Sequence, residues 1–403
     1  MGGKLLNLKH IRAALAVKRT GSLTCAAESV FLSQSAVSQA IKSIEKHLGH
    51  KIFATSSTGA IETDGGRRFL LRAERAFEHI REIDELASRS LGQRNAVASR
   101  ITMSQIRALV EVTERQNYSI AATGLGVSQP SVHKAIKTLE DICGIKLFTR
   151  RPNGVDPNWL ARQMARRASL FLAELEQGID ELEEEGGRLG GQIKVGALPL
   201  SQATIVPRAT LEILSHFPNA AITIVDGPYE EQLKYLLHGQ IDVIIGALRN
   251  PEPSPDICQE QLFSDPLCVV TGIDHPLAGD VIQDAQHLQK LRWIAPRAKT
   301  PARDVFEQYF RNVGIPIPSK FIECSSLVAI RGLLMNSDFI ALLPEKQVAL
   351  DVEAGSLAII RQPLSGTSRD IGLATRKSWI PTTTQAAFLK VVRKITAQTF
   401  VNA

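Results

Sequence analysis

Residues 33–49 read SQSAVSQAIKSIEKHLG and residues 128–144 read SQPSVHKAIKTLEDICG, 95 positions further on. The match is not confined to these windows. A shift of 95 aligns 8–73 on 103–168 without a gap and gives 20 identities in 66 pairs. Ile11-Arg12-Ala13 falls on Ile106-Arg107-Ala108, Ala26-Ala27 on Ala121-Ala122, Gly49 on Gly144, and Lys51 and Phe53 on Lys146 and Phe148. A self-match of this length marks a duplicated module, and with only two copies it is a doubled domain rather than a solenoid.

Each copy reads as three short helices and a hairpin. Leu8, Ile11, Leu15 and Ala16 recur at helical spacing, and Gly21-Ser22 ends the first helix. Ser22 caps a second helix, Leu23–Val30, and Ser33 caps a third that runs to about His47. On the third helix Val37, Ala40, Ile41, Ile44 and Leu48 form an apolar stripe, which leaves Gln34, Ser35, Ser38, Gln39 and Lys42 outside. An amide-rich outer face on the second helix of such a pair suits the DNA major groove, where Gln and Ser meet base edges and Lys holds phosphates. The candidate DNA-binding residues are therefore Ser33, Gln34, Ser35, Ser38, Gln39 and Lys42 in the first copy. In the second they are Ser128, Gln129, Ser131, His133, Lys134 and Lys137, with Arg150 and Arg151 on the hairpin. The segments KIFATSSTGAIET and KLFTRRPNGVDPN read as these hairpins, turning at Gly59 and Gly154.

Charge points the same way. Residues 1–75 hold 12 Lys/Arg against 5 Asp/Glu, and 100–168 hold 11 against 5, whereas 191–403 carry 20 of each sign. The net +6 of the chain thus has its source in the two repeated modules, the electrostatic footprint of a phosphate-backbone partner.

The residues now resemble a known family. GSLTCAAESVFLSQSAVSQAIKSIEKHLGHKIF is similar to the winged helix-turn-helix of LysR-type transcriptional regulators, and YSIAATGLGVSQPSVHKAIKTLEDICGIKLFTR matches it independently. The Ala-Ala, Ser-Gln, Ile-x-x-Leu-Glu and Leu-Phe-x-Arg positions carry the resemblance. The family normally has one such head per chain, so the second head is a departure. The first wing departs too, with Phe53-Ala54-Thr55 where the family has Phe-x-Arg.

Long amphipathic stretches follow each head. Phe69, Ala73, Ala76, Ile80, Ile83 and Ala87 alternate in threes and fours, as do Met164, Ala168, Phe171, Leu175, Ile179 and Leu182. Such seams suit a partner helix, and the resemblance implies a homodimer or homotetramer formed through the linker helices and effector domains. Gly65–Ser90 is 26 residues long. As a helix it would span roughly 39 Å, enough to set the two heads of one chain about one DNA turn apart. EEEGGRLGGQ reads as a glycine-rich hinge.

From Gln192 the rhythm becomes strand–helix alternation. QIKVGAL, AAITIVDG, QIDVIIGAL, RWIA, KFIE, FIALLP and DIGLATR read as strands, with helices at Ala203–His216, EEQLKYLLHG, Ala302–Val313 and Leu327–Met335. This argues an α/β domain with mainly parallel sheets. It resembles the family's two-lobed, periplasmic-binding-protein-like effector-binding domain, so the expected fold class is α/β multidomain with two mainly-α heads. The domains expected are a winged helix-turn-helix at 1–65, a linker helix at 66–99, a second head at 100–158, a second linker at 159–190 and the effector domain at 191–403.

Ligands of such sheets bind beyond the carboxyl ends of the strands. Those ends supply Leu198, Pro199, Ser201, Gln202, Ala247, Arg249, Arg297, Thr300, Ser325 and Ser326 as candidate effector-binding residues. Helix N-termini capped by Thr300 and Ser325 or Ser326, together with Arg249 and Arg297, favour an anion, so a small carboxylate is the expected effector. No cofactor or metal is expected. The five cysteines (Cys25, Cys143, Cys258, Cys268, Cys324) show no ligand spacing, with Cys25 and Cys143 at apolar helix positions and Cys258/Cys268 the alternative redox pair. MGGKLLNLKH lacks the apolar run of a signal peptide, and a cytoplasmic protein with no membrane partner is expected.

The expected function is a ligand-responsive, sequence-specific DNA-binding regulator whose partners are double-stranded DNA, a small-molecule effector and, as a further candidate, RNA polymerase. An architectural DNA-binder without a ligand is one alternative. An α/β enzyme fused to DNA-binding heads is another, but the chain offers no GxSxG, Gly-rich phosphate loop or HExxH for it.

Overall fold

Both heads are built by the same local devices. In the first, α1 (Leu8–Thr20), α2 (Leu23–Ser29) and α3 (Gln34–Leu48) lead to a hairpin of β1 (Phe53–Ser56) and β2 (Gly59–Glu62), and α4 (Asp64–Leu91) follows. After a short α5 (Val97–Arg100), the second head repeats the order with α6 (Met103–Arg115), α7 (Tyr118–Leu125), α8 (Gln129–Cys143), β3 (Phe148–Arg151), β4 (Gly154–Pro157) and α9 (Trp159–Glu185). The computed structural model describes residues 6–56, 59–91, 97–185, 190–280, 285–361, 364 and 366–401. The tip of the first wing at 57–58 and the glycine-rich hinge at 186–189 lie outside the described residues.

The caps recur at the shift of 95. Ser33 and Ser128 accept from the third backbone N–H beyond them, and Gly49 and Gly144 close α3 and α8 in the left-handed conformation. Gly59 and Gly154 sit at φ 135° and 154°, where a Cβ would strike the carbonyl oxygens of Gly21 and Gln116. Those same carbonyls accept from Ala60 N at 3.0 Å and Val155 N at 2.8 Å, which ties each wing to the end of its first helix. Cys25 is exposed despite its apolar helix position, while Cys143 is buried. The period places residue 25 among apolar positions of α2, but Ala26 and Ala27 are the side chains that helix turns inward.

The linker helices correct a larger expectation. Every apolar residue predicted for the first seam is buried, yet its partner helix lies in the same chain. Phe69 lies against Gly178, Phe77 meets Phe171 edge-on at 5.8 Å, and Glu82 pairs with Arg167 at 2.8 Å. Numbers that rise along α4 fall along α9, so the two helices run antiparallel. Phe77 comes within one residue of its own repeat equivalent, Leu172, which puts a pseudo-two-fold axis at that point. Two polar contacts confirm the symmetry. Arg72 donates to Gln177 at 3.0 Å, and the pair one repeat on and one repeat back is Arg167 with Glu82. A single apolar core runs through both heads and both linker helices. The apolar face of each linker helix is thus covered by the other linker helix of the same chain.

The C-terminal unit comprises Gln192–Leu237 and Ile241–Ala403. Its first half contains β5 (Gln192–Ala197), α10 (Pro199–Ala203), α11 (Ile205–His216), β6 (Ala221–Val225), α12 (Tyr229–Leu237), β7 (Val243–Ala247) and β8 (Ile257–Asp265). Then come β9 (Leu267–Gly272), α13 (Ala285–Lys290), β10 (Arg292–Ala295), α14 (Pro301–Asn312), β11 (Phe321–Glu323), α15 (Leu327–Met335) and β12 (Phe339–Pro344). The unit ends with α16 (Glu345–Glu353), β13 (Leu357–Arg361), β14 (Arg369–Arg376) and α17 (Thr383–Thr396).

Two five-stranded sheets result, ordered β6-β5-β7-β14-β8 and β11-β10-β12-β9-β13. Each is mixed, not mainly parallel as expected. In the first sheet β5 runs parallel to β6 and β7, while β14 is antiparallel to β7 and β8; the second sheet repeats this scheme. The antiparallel strands are the ones that cross between lobes. β8 and β9 belong to different sheets although only Pro266 separates them, and β13 to β14 makes the return crossing. An ion pair of Arg369 with buried Asp265 at 2.7 Å clamps the crossing.

Candidate nucleic-acid interface and effector cleft

On α3, Gln34, Ser35, Gln39 and Lys42 are exposed and Ser38 is half-buried, above buried Val37, Ile41 and Ile44. On α8 the exposed set is Gln129, Ser131, His133, Lys134 and Lys137, above Val132, Ile136 and Leu139. Ser33 and Ser128 are exposed, but their hydroxyls are engaged in capping, accepting from Ala36 N at 3.2 Å and Ser131 N at 3.4 Å. Gln129 is partly committed as well, because its Oε1 accepts from Ser119 Oγ at 3.0 Å.

The two faces differ where they matter most. At equal positions the first head has Ser38 and Gln39 and the second has His133 and Lys134. The His133 ring lies 5.3 Å from the Tyr118 ring, and burial, reinforced by the Glu140 charge and opposed by Arg150, pushes the Tyr118 phenol up to about 12. Tyr118 therefore stays neutral near pH 7 and serves as an apolar backstop for the imidazole. On the second wing Arg150 and Arg151 are both exposed, and Arg151 pairs with Asp156, which Arg162 also reaches at 3.3 Å.

Sequence reading missed how the wings are anchored. Glu140, buried at the foot of α8, accepts from Leu147 N at 2.8 Å, Phe148 N at 3.3 Å and Lys146 Nζ at 2.9 Å. Glu45 does the same for Ile52 N, Phe53 N and Lys51 Nζ at 3.1, 3.4 and 2.6 Å. One buried carboxylate thus satisfies two backbone donors that the strand cannot pair. The signal was present in the Leu-Glu element, read there only as a mark of resemblance. Replacing Glu140 by alanine is expected to cost about 2–4 kcal/mol, since buried donors lose their acceptor, and Glu45→Ala should cost a like amount by urea unfolding. Costs below about 0.5 kcal/mol in both variants would show that the wings are anchored otherwise.

In the C-terminal unit, Leu198 N donates to Ile245 O at 3.0 Å and Cys324 N to Ala295 O at 3.0 Å. Segments 198–202 and 247–249 therefore share one edge of the first sheet, and 296–300 and 324–326 share one edge of the second. Not every candidate residue is available there. Ser201 is fully buried and donates to Leu198 O at 2.8 Å and Ile245 O at 2.7 Å, so it ties strand ends together and cannot greet a ligand. Leu198 is buried, Pro199 opens α10, and Gln202 donates to Ala197 O at 2.7 Å. Thr300 caps α14 by accepting from Arg303 N at 3.2 Å, and Ser326 caps α15. Arg297 and Ser325 are exposed.

Arg249 is the distinctive group. Its guanidinium lies 3.8 Å from the Tyr229 ring centroid and donates to Ala247 O at 3.0 Å. Among the described residues it makes no ion pair. Burial pulls its pKa below the ordinary arginine value, against the attraction of Tyr229, Glu230 and Asp304 and with the repulsion of Arg369. Asp304, in the first turn of α14, is among the charges that act on Arg249. Tyr229 and Asp304 were missed in the sequence because each belongs to the first turn of the helix that follows a strand, past the strand-end residues themselves.

Burial pushes the Cys143 and Cys268 thiols up to about 12, which leaves them protonated packing groups. Cys258 and Cys268 lie on strands of different sheets and are free, so the redox-pair alternative does not hold. No helix among the described residues is long and apolar enough to cross a membrane.

Comparison with known proteins gives this geometry its context. The bacterial regulatory helix-turn-helix of the lysR family matches residues 8–67 and again 103–161, and the LysR substrate-binding domain matches 186–396. The HTH-type transcriptional regulator GalR of Pseudomonas putida is 30% identical over 392 residues, covering 97% of this chain and 98% of its own length. PcaQ of Agrobacterium fabrum is also 30% identical, but its 304 matched residues are 75% of this chain and 98% of PcaQ, a difference the size of one head with its linker. A full-length OxyR variant from Pseudomonas aeruginosa superposes with a TM-score of 0.54 at 23% identity, over 74% of this chain and 95% of that one. CbnR gives 0.52 at 20% identity, over 72% and 97%. Matches of this extent, on a chain whose heads, linkers and two-lobed domain follow one after another, place it in the LysR family of DNA-binding transcriptional regulators, not among enzymes, with the DNA-binding head present twice.

Proposed function

We propose that this regulator senses a small anionic metabolite, a carboxylate, between the lobes of its effector-binding domain. The observation that carries the reading is Arg249, a half-buried cation held against Tyr229 with no carboxylate paired to it among the described residues. A desolvated charge without a counter-ion is costly, and an anionic ligand offsets that cost. The domains expected at 1–65, 66–99, 100–158, 159–190 and 191–403 divide this work. The chain would act in the cytoplasm, where its DNA is, with RNA polymerase as a downstream partner.

The test is calorimetric titration with matched acids and amides. Arg249→Met should weaken binding of the acid by about 2–5 kcal/mol, roughly thirtyfold or more, while basal DNA affinity stays near that of the native chain. Arg297→Ala should weaken the ligand response in the same direction. Thr300→Val is a less clean probe, because it also removes the cap of α14. Equal affinity for acid and amide in the native chain would overturn the anionic reading.

We propose the exposed residues of α3, α8 and the second wing as the DNA-reading surface, with the second head contributing more affinity. It has Lys134, Lys137 and Arg150, where the first has Gln39, Lys42 and Thr55. Neutralising Arg150 and Arg151 should weaken binding to every sequence and lower the salt slope by about 2, close to 0.9 for each lost phosphate contact. Because Arg151 is engaged with Asp156, Arg150 should account for the larger part. If Lys42→Ala did more damage than losing both arginines, the ranking of the heads would be reversed.

A further inference from the structure

We infer that one chain is by itself a complete two-headed reading unit, and that its DNA site is asymmetric: two unlike half-sites in inverted orientation. The inference deepens the DNA-binding reading and rests on it.

The orientation follows from the linker pair. The foot of the first wing touches the start of α4, where Ile52 O accepts from Thr63 N at 3.1 Å. The second wing meets the start of α9 in the same way, with Leu147 O accepting from Asn158 N at 2.9 Å. Since α4 and α9 run antiparallel, the wings stand at opposite ends of the pair. α4 is 28 residues long, roughly 42 Å, which is the order of one DNA turn. The symmetry contacts of Arg72 with Gln177 and Arg167 with Glu82 make the relation a pseudo-two-fold axis, so the half-sites point towards each other as in a palindrome.

The connector fixes the arrangement. Arg12 of the first head donates to Ala98 O and, at 3.1 Å, to Ser99 O, and its guanidinium lies 5.4 Å from the Phe77 ring centroid. Asp84 on α4 accepts from Ala98 N at 2.6 Å. The segment leading into the second head is therefore tied to both the first head and its linker.

The asymmetry follows from the side chains. Two identical heads about a two-fold axis read a palindrome, because operator symmetry mirrors protein symmetry. These heads are not identical: Gln39 is matched by Lys134, Ser38 by His133, Ala36 by Ser131 and Lys46 by Asp141. A glutamine amide pairs the N6/N7 edge of adenine, whereas a lysine favours O6/N7 of guanine. The first half-site should hold adenine where the second holds guanine.

Selection from a random duplex pool with the full-length chain tests this, followed by native mass spectrometry of the complex. The expected motif has two different inverted half-sites and one chain per pair of them. Ser38→His with Gln39→Lys should turn the preference towards a palindrome of the second half-site, which that variant should bind about tenfold or more tightly than the native chain does. The reciprocal His133→Ser with Lys134→Gln should favour a palindrome of the first, so a folding defect in one variant would not hide the answer. A perfect palindrome selected by the native chain, or two chains per pair of half-sites, would overturn the inference and leave the DNA-binding reading standing. Absence of any enriched sequence would overturn both.

Discussion

Replacing Arg72 by leucine is expected to destabilise the N-terminal unit by about 3–5 kcal/mol, the usual cost of breaking one side of a buried ion cluster. Arg72 is 3% exposed and holds Glu174 at 3.2 Å and Glu181 at 2.6 Å, which are 9% and 13% exposed. Burial works against its charge, but the hydrogen bonds and fields of Glu181 and Glu174 more than restore it, so its pKa lies above the ordinary value. Without Arg72, two carboxylates remain in the seam, with Arg75 alone beside Glu174 at 3.1 Å. Its repeat equivalent supplies the control. Arg167 is 30% exposed and its partner Glu82 40%, so Arg167→Leu should cost less than about 1 kcal/mol. Urea unfolding of both variants decides the matter. Equal costs would mean that burial does not set the strength of the seam. DNA affinity should fall with Arg72→Leu as well, because two heads no longer held together lose the benefit of joint docking.

Trp293→Ala is expected to have a comparable effect in the other unit. Trp293 is fully buried on β10, with the rings of Phe306 and Phe310 each edge-on at 5.4 Å. Emptying such a site costs about 3–5 kcal/mol, which for a unit of this size lowers Tm by roughly 6–20 °C. The ligand response should disappear while the heads keep their DNA affinity within about twofold, since the N-terminal unit has its own continuous core. An equal loss of stability in both units by calorimetry would contradict that separation.

The heads were legible because their signals are local. Ser33, Gly49, Ser128 and Gly144 declare the ends of α3 and α8, and the stripe on each helix names its buried face. The seam was legible as a seam but not its occupant, since an apolar stripe specifies that a helix will cover it and not which chain supplies that helix. The charges held the missing information: Arg72 falls within the first seam, and Glu174 and Glu181 fall where an antiparallel partner meets it. The same pairing changes what truncation would do. Removing residues 1–95 would not spare the second head, because it would uncover Phe171, Leu175 and Leu182.

Fold class was readable from strand–helix alternation, whereas the crossings were not. Pro266 alone separates β8 from β9, and a continuous apolar run gives no sign that successive strands leave for different sheets. In the cleft, position along a strand end located Arg249 but did not tell the fate of Ser201, whose neighbour Ile245 O is supplied by another strand.

If one chain is the reading unit, as inferred above, the cis pairing of α4 with α9 also frees it from dilution. Two subunits that must meet before they read DNA come apart as their concentration falls, and a cell holding few copies loses the assembled form first. Heads joined through Val97–Arg100 and closed along one seam keep the same effective concentration at any copy number. In such a unit they would not exchange with the heads of a sister regulator. After the duplication, each recognition helix could accumulate its own changes without producing mixed species.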